Sequence, residues 1–107
     1  MSALDRIAEY FSSLAPETLP RLGEHYADEV HFLDPINEGR GLADLQAIFE
    51  DLFKQLKNVQ ISIDARSGNE EQGFLRWTMA YTFRGKSRTL PGTSHFTFDP
   101  AGKVASQ

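Results

Sequence analysis

The hydrophobic period changes at Asn58, and this change constrains the fold more than any other feature of the sequence. Leu42, Leu45, Ile48, Phe49, Leu52, Phe53 and Leu56 recur at helical spacing before it, with Asp44, Glu50, Asp51 and Lys54 on the opposite side. Beyond it, Val59, Ile61, Ile63 and Ala65 alternate with polar residues, as one face of a strand does. A polar turn through Ser67–Glu70 leads to a second alternating run, with Leu75, Trp77, Met79, Tyr81 and Phe83 on one face. Arg76, Thr78, Thr82 and Arg84 fall on the other. Gly85-Lys86 reads as a hairpin turn with glycine first. The next strand places Ser94, Phe96 and Phe98 on one side and Thr93, His95 and Thr97 on the other, with a bulge or kink expected at Pro91-Gly92. Helices followed by an antiparallel meander make an α+β domain in which a curved sheet packs on helices.

The N-terminal part fits that plan. Leu4, Ile7, Ala8, Phe11 and Leu14 share a helical face, Ser2 with Asp5 forms a capping box, and Tyr10 borders the stripe. Pro16 and Pro20 confine the start of a short second helix with Leu19, Leu22 and Tyr26 facing inward. Residues 29–34 alternate, so Val30, Phe32 and Asp34 share one strand face and His31 and Leu33 the other. Pro35–Gly41 is a loop into the long helix. After the turn Asp99–Gly102, Lys103 starts one more strand, with only a few residues to follow. Such a short final strand implies an unpaired edge, which natural sheets avoid, so the chain is expected to continue beyond Gln107.

At 107 residues the chain suits one domain, 1–107, with a single core. It has no cysteine, which excludes disulfides, thiolate catalysis and cysteine-ligated metals. A net charge of −4 offers no attraction for nucleic acid or an anionic membrane. The first residues lack the layout of a signal peptide, so a cytoplasmic location is expected. Several constellations fail on geometry. His25, Asp28 and His31 straddle a helix–strand junction without ligand spacing, so no metal site is expected. Ser94 and His95 point to opposite faces of one strand, so with Asp99 they cannot form a triad. Gly39-Arg40-Gly41 lacks the phosphate-loop pattern, and Arg76, Arg84 and Arg88 read as a solvated sheet face.

Asp34 is the most informative polar residue. A carboxylate on the apolar face of a strand is costly unless it is hydrogen-bonded, solvated or protonated. Two readings follow: a cap on the loop before Pro35, or a general base in an apolar hollow. Tyr10 is a candidate hydrogen-bond donor to an oxyanion, and Ser94, facing inward with Phe96, is another. Phe32, Phe49, Phe53, Trp77, Met79 and Phe96 are either ordinary core or the lining of a ligand cavity.

The order of two helices, a strand ending in Asp34-Pro35, a long helix from Leu42 and a meander resembles the nuclear transport factor 2-like superfamily. That superfamily includes SnoaL-like polyketide cyclases and ketosteroid isomerase. Tyr26–Pro35 followed by Gly39-Arg40-Gly41 is similar to its hallmark segment. Ser94–Phe98 with Ala101–Val104 resembles ketosteroid isomerase in particular. The resemblance implies a cone-shaped, cystatin-like antiparallel sheet wrapped around helices, with a shortened final strand. It also implies a small apolar carbonyl ligand in the cone, no cofactor, and a homodimer through the sheet face. Asp34 then matches the proton-shuttling aspartate and Tyr10 the oxyanion-donating tyrosine. Ser94 stands where ketosteroid isomerase has a protonated acid. The functions implied are a cofactor-free isomerase or cyclase, or a non-catalytic ligand-binding or dimerisation module on the same scaffold.

Overall fold

A computed structural model describes all 107 residues. Helix α1 (Ala3–Ser12) starts at the expected capping box: Asp5 N donates to Ser2 Oγ at 3.0 Å, and Ser2 N to Asp5 Oδ2 at 3.4 Å. Leu4, Ile7, Ala8, Tyr10 and Phe11 are buried along it. The second helix is divided. Pro16–Arg21 forms a 3-10 turn, and only Leu22–His25 (α2) is α-helical. Tyr26 already belongs to strand β1 (Tyr26–Leu33), although Leu19, Leu22 and Tyr26 are all buried as expected. The two prolines favour the tighter, shorter helix.

The expected loop before the long helix contains a strand, β2 (Glu38–Arg40), paired antiparallel with β1 through His31–Arg40, Phe32–Gly39 and Leu33–Glu38. Helix α3 (Leu42–Gln55) follows, burying Leu45 and Phe49 and half-burying Leu42, Ile48, Leu52 and Phe53. Strands β3 (Lys57–Gly68), β4 (Gln72–Phe83) and β5 (Lys86–Phe98) form the long meander, and β6 is Val104–Ser106.

The six strands lie in the order β2-β1-β6-β5-β4-β3. The sheet is mixed rather than wholly antiparallel, because β6 runs parallel to β1 while pairing antiparallel with β5. The short last strand is therefore not an exposed edge: it is paired on both sides, which removes the reason for expecting an unpaired edge there.

Three local details differ from the alternation. Between Ile63 and Ala65 the β3–β4 register shifts, so Ile63 faces Trp77 while Ala65 faces Arg76. This bulge turns Ala65 outward and brings Arg66 opposite Leu75, on the helix side, where it pairs with Asp5 of α1 at 2.8 Å. The β4–β5 turn is centred one residue earlier than expected, on Arg84 (φ 51°) and Gly85 (φ 78°), with Phe83 opposite Lys86. Two positive φ values fit the two-residue turn that matches strand twist.

Pro91-Gly92 makes no bulge, since Thr78–Pro91 and Trp77–Gly92 pair in unbroken register. Gly92 serves the packing instead. A Cβ there would lie 2.3 Å from Trp77 Cζ2, so only glycine lets the indole lie across the backbone. Pro91 falls at a position whose N–H side points away from β4, where a missing donor is tolerated.

Candidate functional site

Helix α1 rests on β3 and β4, whereas α3 rests mainly on β1 and β2 and touches β3 lightly. The concave side of the sheet is consequently covered unevenly. Leu75 and Phe96 are fully buried, and Phe11 meets both Phe96 (6.3 Å between ring centroids) and Trp77 (6.0 Å) edge-on. Further along the same strands, Trp77, Tyr81 and Phe83 are only half-buried, and Leu90 is 46% exposed. Of the expected lining residues, Phe32, Phe49, Met79 and Phe96 belong to the buried core, with Phe32 and Phe49 in edge contact at 5.8 Å. Phe53 and Trp77 pack at its rim.

The three residues expected to carry chemistry do not hydrogen-bond one another. Asp34 lies just past the end of β1, half-buried, and its Oδ1 accepts from Ile36 N at 2.7 Å and from Asn37 N at 2.5 Å. Its own N–H donates to Asn37 O, so the turn 34–37 is built around this side chain. Oδ2 is left with one long contact, 3.4 Å from Asn37 Nδ2. Tyr10 is buried, and its hydroxyl donates to Thr18 O at 2.7 Å. Ser94 is half-buried on the concave side, where its Oγ accepts from Trp77 Nε1 at 3.0 Å. That bond leaves the Ser94 hydroxyl hydrogen available, whereas the single phenolic hydrogen of Tyr10 is engaged.

Tyr10 belongs to a second cluster, between α1 and α2. Its ring stacks on His25 at 4.2 Å and meets Tyr26 edge-on at 6.5 Å. Burial pushes both phenols above their usual range, and Tyr26 donates to Gln107 Oε1 at 2.7 Å. His25 Nε2 is buried without a hydrogen-bond partner. Burial and the nearby Arg21 hold its pKa below the ordinary imidazole value.

Sequence reading missed two features. The His25–Tyr10 stack joins residues from different elements, and no local pattern signals it. Arg88 is the second. It is opposite Tyr81 in the β4–β5 register, so it shares the concave face and not the outer face assigned to it with Arg76 and Arg84. The signal was present, because the face of Phe96 and Ser94 continues by twos to Leu90, Arg88 and Lys86. An expected kink at Pro91-Gly92 hid it.

Residues 7–107 match the model of the SnoaL-like domain. Among curated proteins, none matches the sequence. An NTF2-like protein of unknown function from Burkholderia pseudomallei superposes with a TM-score of 0.85 at 17% identity, over 99% of this chain and 88% of that one. An LEH-like epoxide hydrolase from M. tuberculosis gives 0.78 at 11% identity, over 97% and 74%. A protein with a ketosteroid isomerase-like fold from Catenulispora acidiphila, solved with trimethylamine, gives 0.75 at 13% identity, over 83% and 71%. No helix is long and apolar enough to cross a membrane. The family match runs from the middle of α1 through the 34–37 turn and the whole sheet, and the chain belongs to the SnoaL-like domain family.

Proposed function

We propose that this domain binds a small apolar carbonyl compound in the mouth of its cone, against Trp77, Tyr81, Phe53 and Leu90. The observation that carries this reading is the uneven cover of one continuous apolar face. Leu75 and Phe96 are sealed, while Trp77 and Tyr81 are half-open and Leu90 is exposed on the same side. Apolar area left open on a concave surface is what a ligand of this class removes from water. Trp77 is the only tryptophan, so its emission reports on the site directly. Titration with 2-decanone is expected to shift that emission to the blue and saturate. An unchanged spectrum up to the solubility limit of the ketone overturns the reading.

A second reading, acid–base catalysis of the isomerase or cyclase type, is favoured by the two oxygens of Asp34. Oδ1 is fixed by two backbone amides, which leaves Oδ2 to take a proton from the carbon beside the carbonyl. The electron pair of the broken C–H bond moves onto the carbonyl oxygen as an enolate. Ser94, with its hydroxyl hydrogen uncommitted, is a better donor to that oxygen than Tyr10, which already donates to Thr18. Return of the proton to another carbon completes an isomerisation, and attack of the enolate on a second carbonyl closes a ring. Asp34→Asn keeps an amide-accepting oxygen and removes the base. Undiminished turnover in that variant, on any substrate the enzyme accepts, removes Asp34 from the chemistry.

On the outer face, Phe74, Thr78, Ala80 and Thr82 form a weakly charged strip interrupted by Arg76, with Phe74 stacked on His95 and 47% exposed. A homodimer through this face in the cytoplasm is part of the same proposal. Sedimentation that finds only monomer across the micromolar range counts against it.

A further inference from the structure

The side chains on the concave face of β3, β4 and β5 that carry a charge at neutral pH are all cations. Alternation and the strand register place Val59, Ile61 and Ile63 of β3 there, then Arg66 after the bulge. Leu75, Trp77, Met79, Tyr81 and Phe83 of β4 are joined by Lys86, Arg88, Leu90, Gly92, Ser94 and Phe96 of β5. The acidic residue of this region, Asp64, faces outward, where it accepts from Thr78 Oγ1 at 2.7 Å. Arg66 is neutralised by Asp5. Arg88 and Lys86 take part in none of the ion pairs of the chain.

In a chain of net charge −4, two unpaired cations beside an open apolar surface leave a local excess of positive charge. Arg88 lies opposite Tyr81 and Lys86 opposite Phe83, and Leu90 is the next concave residue after Arg88. Residues two apart on one strand face stand about 7 Å from each other, near enough to share one anionic head group. The arginine fork matches a carboxylate in a bidentate manner, and the lysine adds a mobile point charge.

We propose that the ligand of the cone mouth is an amphipathic organic anion. Its apolar body lies along Leu90, Tyr81 and Trp77, and its acidic head sits on Arg88, with Lys86 at the rim. This rests on the reading of the mouth as the ligand site and adds the charge and direction of the ligand: apolar end inward, acid outward.

Decanoate and the neutral 2-decanone, compared by Trp77 emission, separate the two ideas. Decanoate is expected to bind about tenfold more tightly than the ketone at low salt, the size of effect one charge-assisted contact at a partly solvated site gives. Raising the salt should narrow that gap, since the cations are exposed. Arg88→Gln is expected to remove most of the preference by weakening decanoate far more than 2-decanone. Arg88→Lys should keep part of it, and Arg76→Gln, on the outer face, should keep all of it. Equal affinity for the two probes in the unaltered protein overturns the anion proposal while the apolar site stands. A preference for decanoate that survives Arg88→Gln overturns it too, because the head group then lies elsewhere. If neither probe moves the Trp77 signal, the ligand site itself is misplaced and the proposal falls with it.

Discussion

The two ends of the concave face have the same sequence pattern and different fates. At one end Leu75 and Phe96 are fully buried beneath α1, with Phe11 packed edge-on against Phe96. At the other, Tyr81 and Phe83 are half-buried and Leu90 is nearly half exposed, because α3 lies over β1 and β2 instead. Alternation decides which side of a sheet is apolar. It does not decide which part of that side a helix will cover, and the uncovered part is where a ligand can compete with water.

The comparison can be broken most severely at the closed end. Phe96→Ala is expected to destabilise the fold by about 3–5 kcal/mol, as removal of a fully buried aromatic does. Urea unfolding checks this, and a loss below about 1 kcal/mol would mean that the closed end is not closed. Gly92→Ala comes next, at about 1–3 kcal/mol, since the new methyl group collides with the Trp77 ring and both strands must shift. Its emission should move to the red as the indole is displaced. Asp34→Ala frees two backbone amides in the 34–37 turn and is expected to cost about 1 kcal/mol, with the amide signals of Ile36 and Asn37 moving most.

His25 tests the packing of α1 against α2, away from both ends. Its folded pKa is depressed by burial, so the unfolded chain binds the proton more readily. Stability from this group is therefore present above the ordinary imidazole pKa of about 6.5 and is lost as the pH falls through the lower folded value. His25→Phe keeps the stack on Tyr10 and should flatten the pH dependence in that acidic range. An identical pH profile in the variant would assign the effect to other groups. The smallest change is expected at the open end: Leu90→Ala should alter stability by less than about 0.5 kcal/mol while weakening 2-decanone binding.

Much of the fold was legible because local and tertiary preferences agree. The capping box, the long helix and the inward faces of β4 and β5 all follow from spacing. What failed were positions where contacts across the chain override local pattern. Pro91-Gly92 reads as a break, yet Gly92 is required by an indole on the neighbouring strand. Asp64 reads as an ordinary outward residue, and nothing local announces the bulge that sends Arg66 inward. Glu38–Arg40 is too short to carry a period, so β2 was invisible. The site was legible in part. Asp34 occupies the turn that the capping reading describes, with a second oxygen that the catalytic reading needs, and the sequence contains both possibilities. The environment of Tyr10 depends on Thr18 and His25, which reach it only through the 3-10 turn and α2.

Strand β6 joins β1 to β5 although it is made after both. During synthesis, the hairpin of β1 and β2 and the meander of β3 to β5 can each form their own ladders, but no ladder bonds link them until Val104–Ser106 has left the ribosome. A nascent chain stalled a few residues earlier would hold two half-sheets with raw edges facing each other, a state open to chaperones and to pairing with a neighbouring nascent chain.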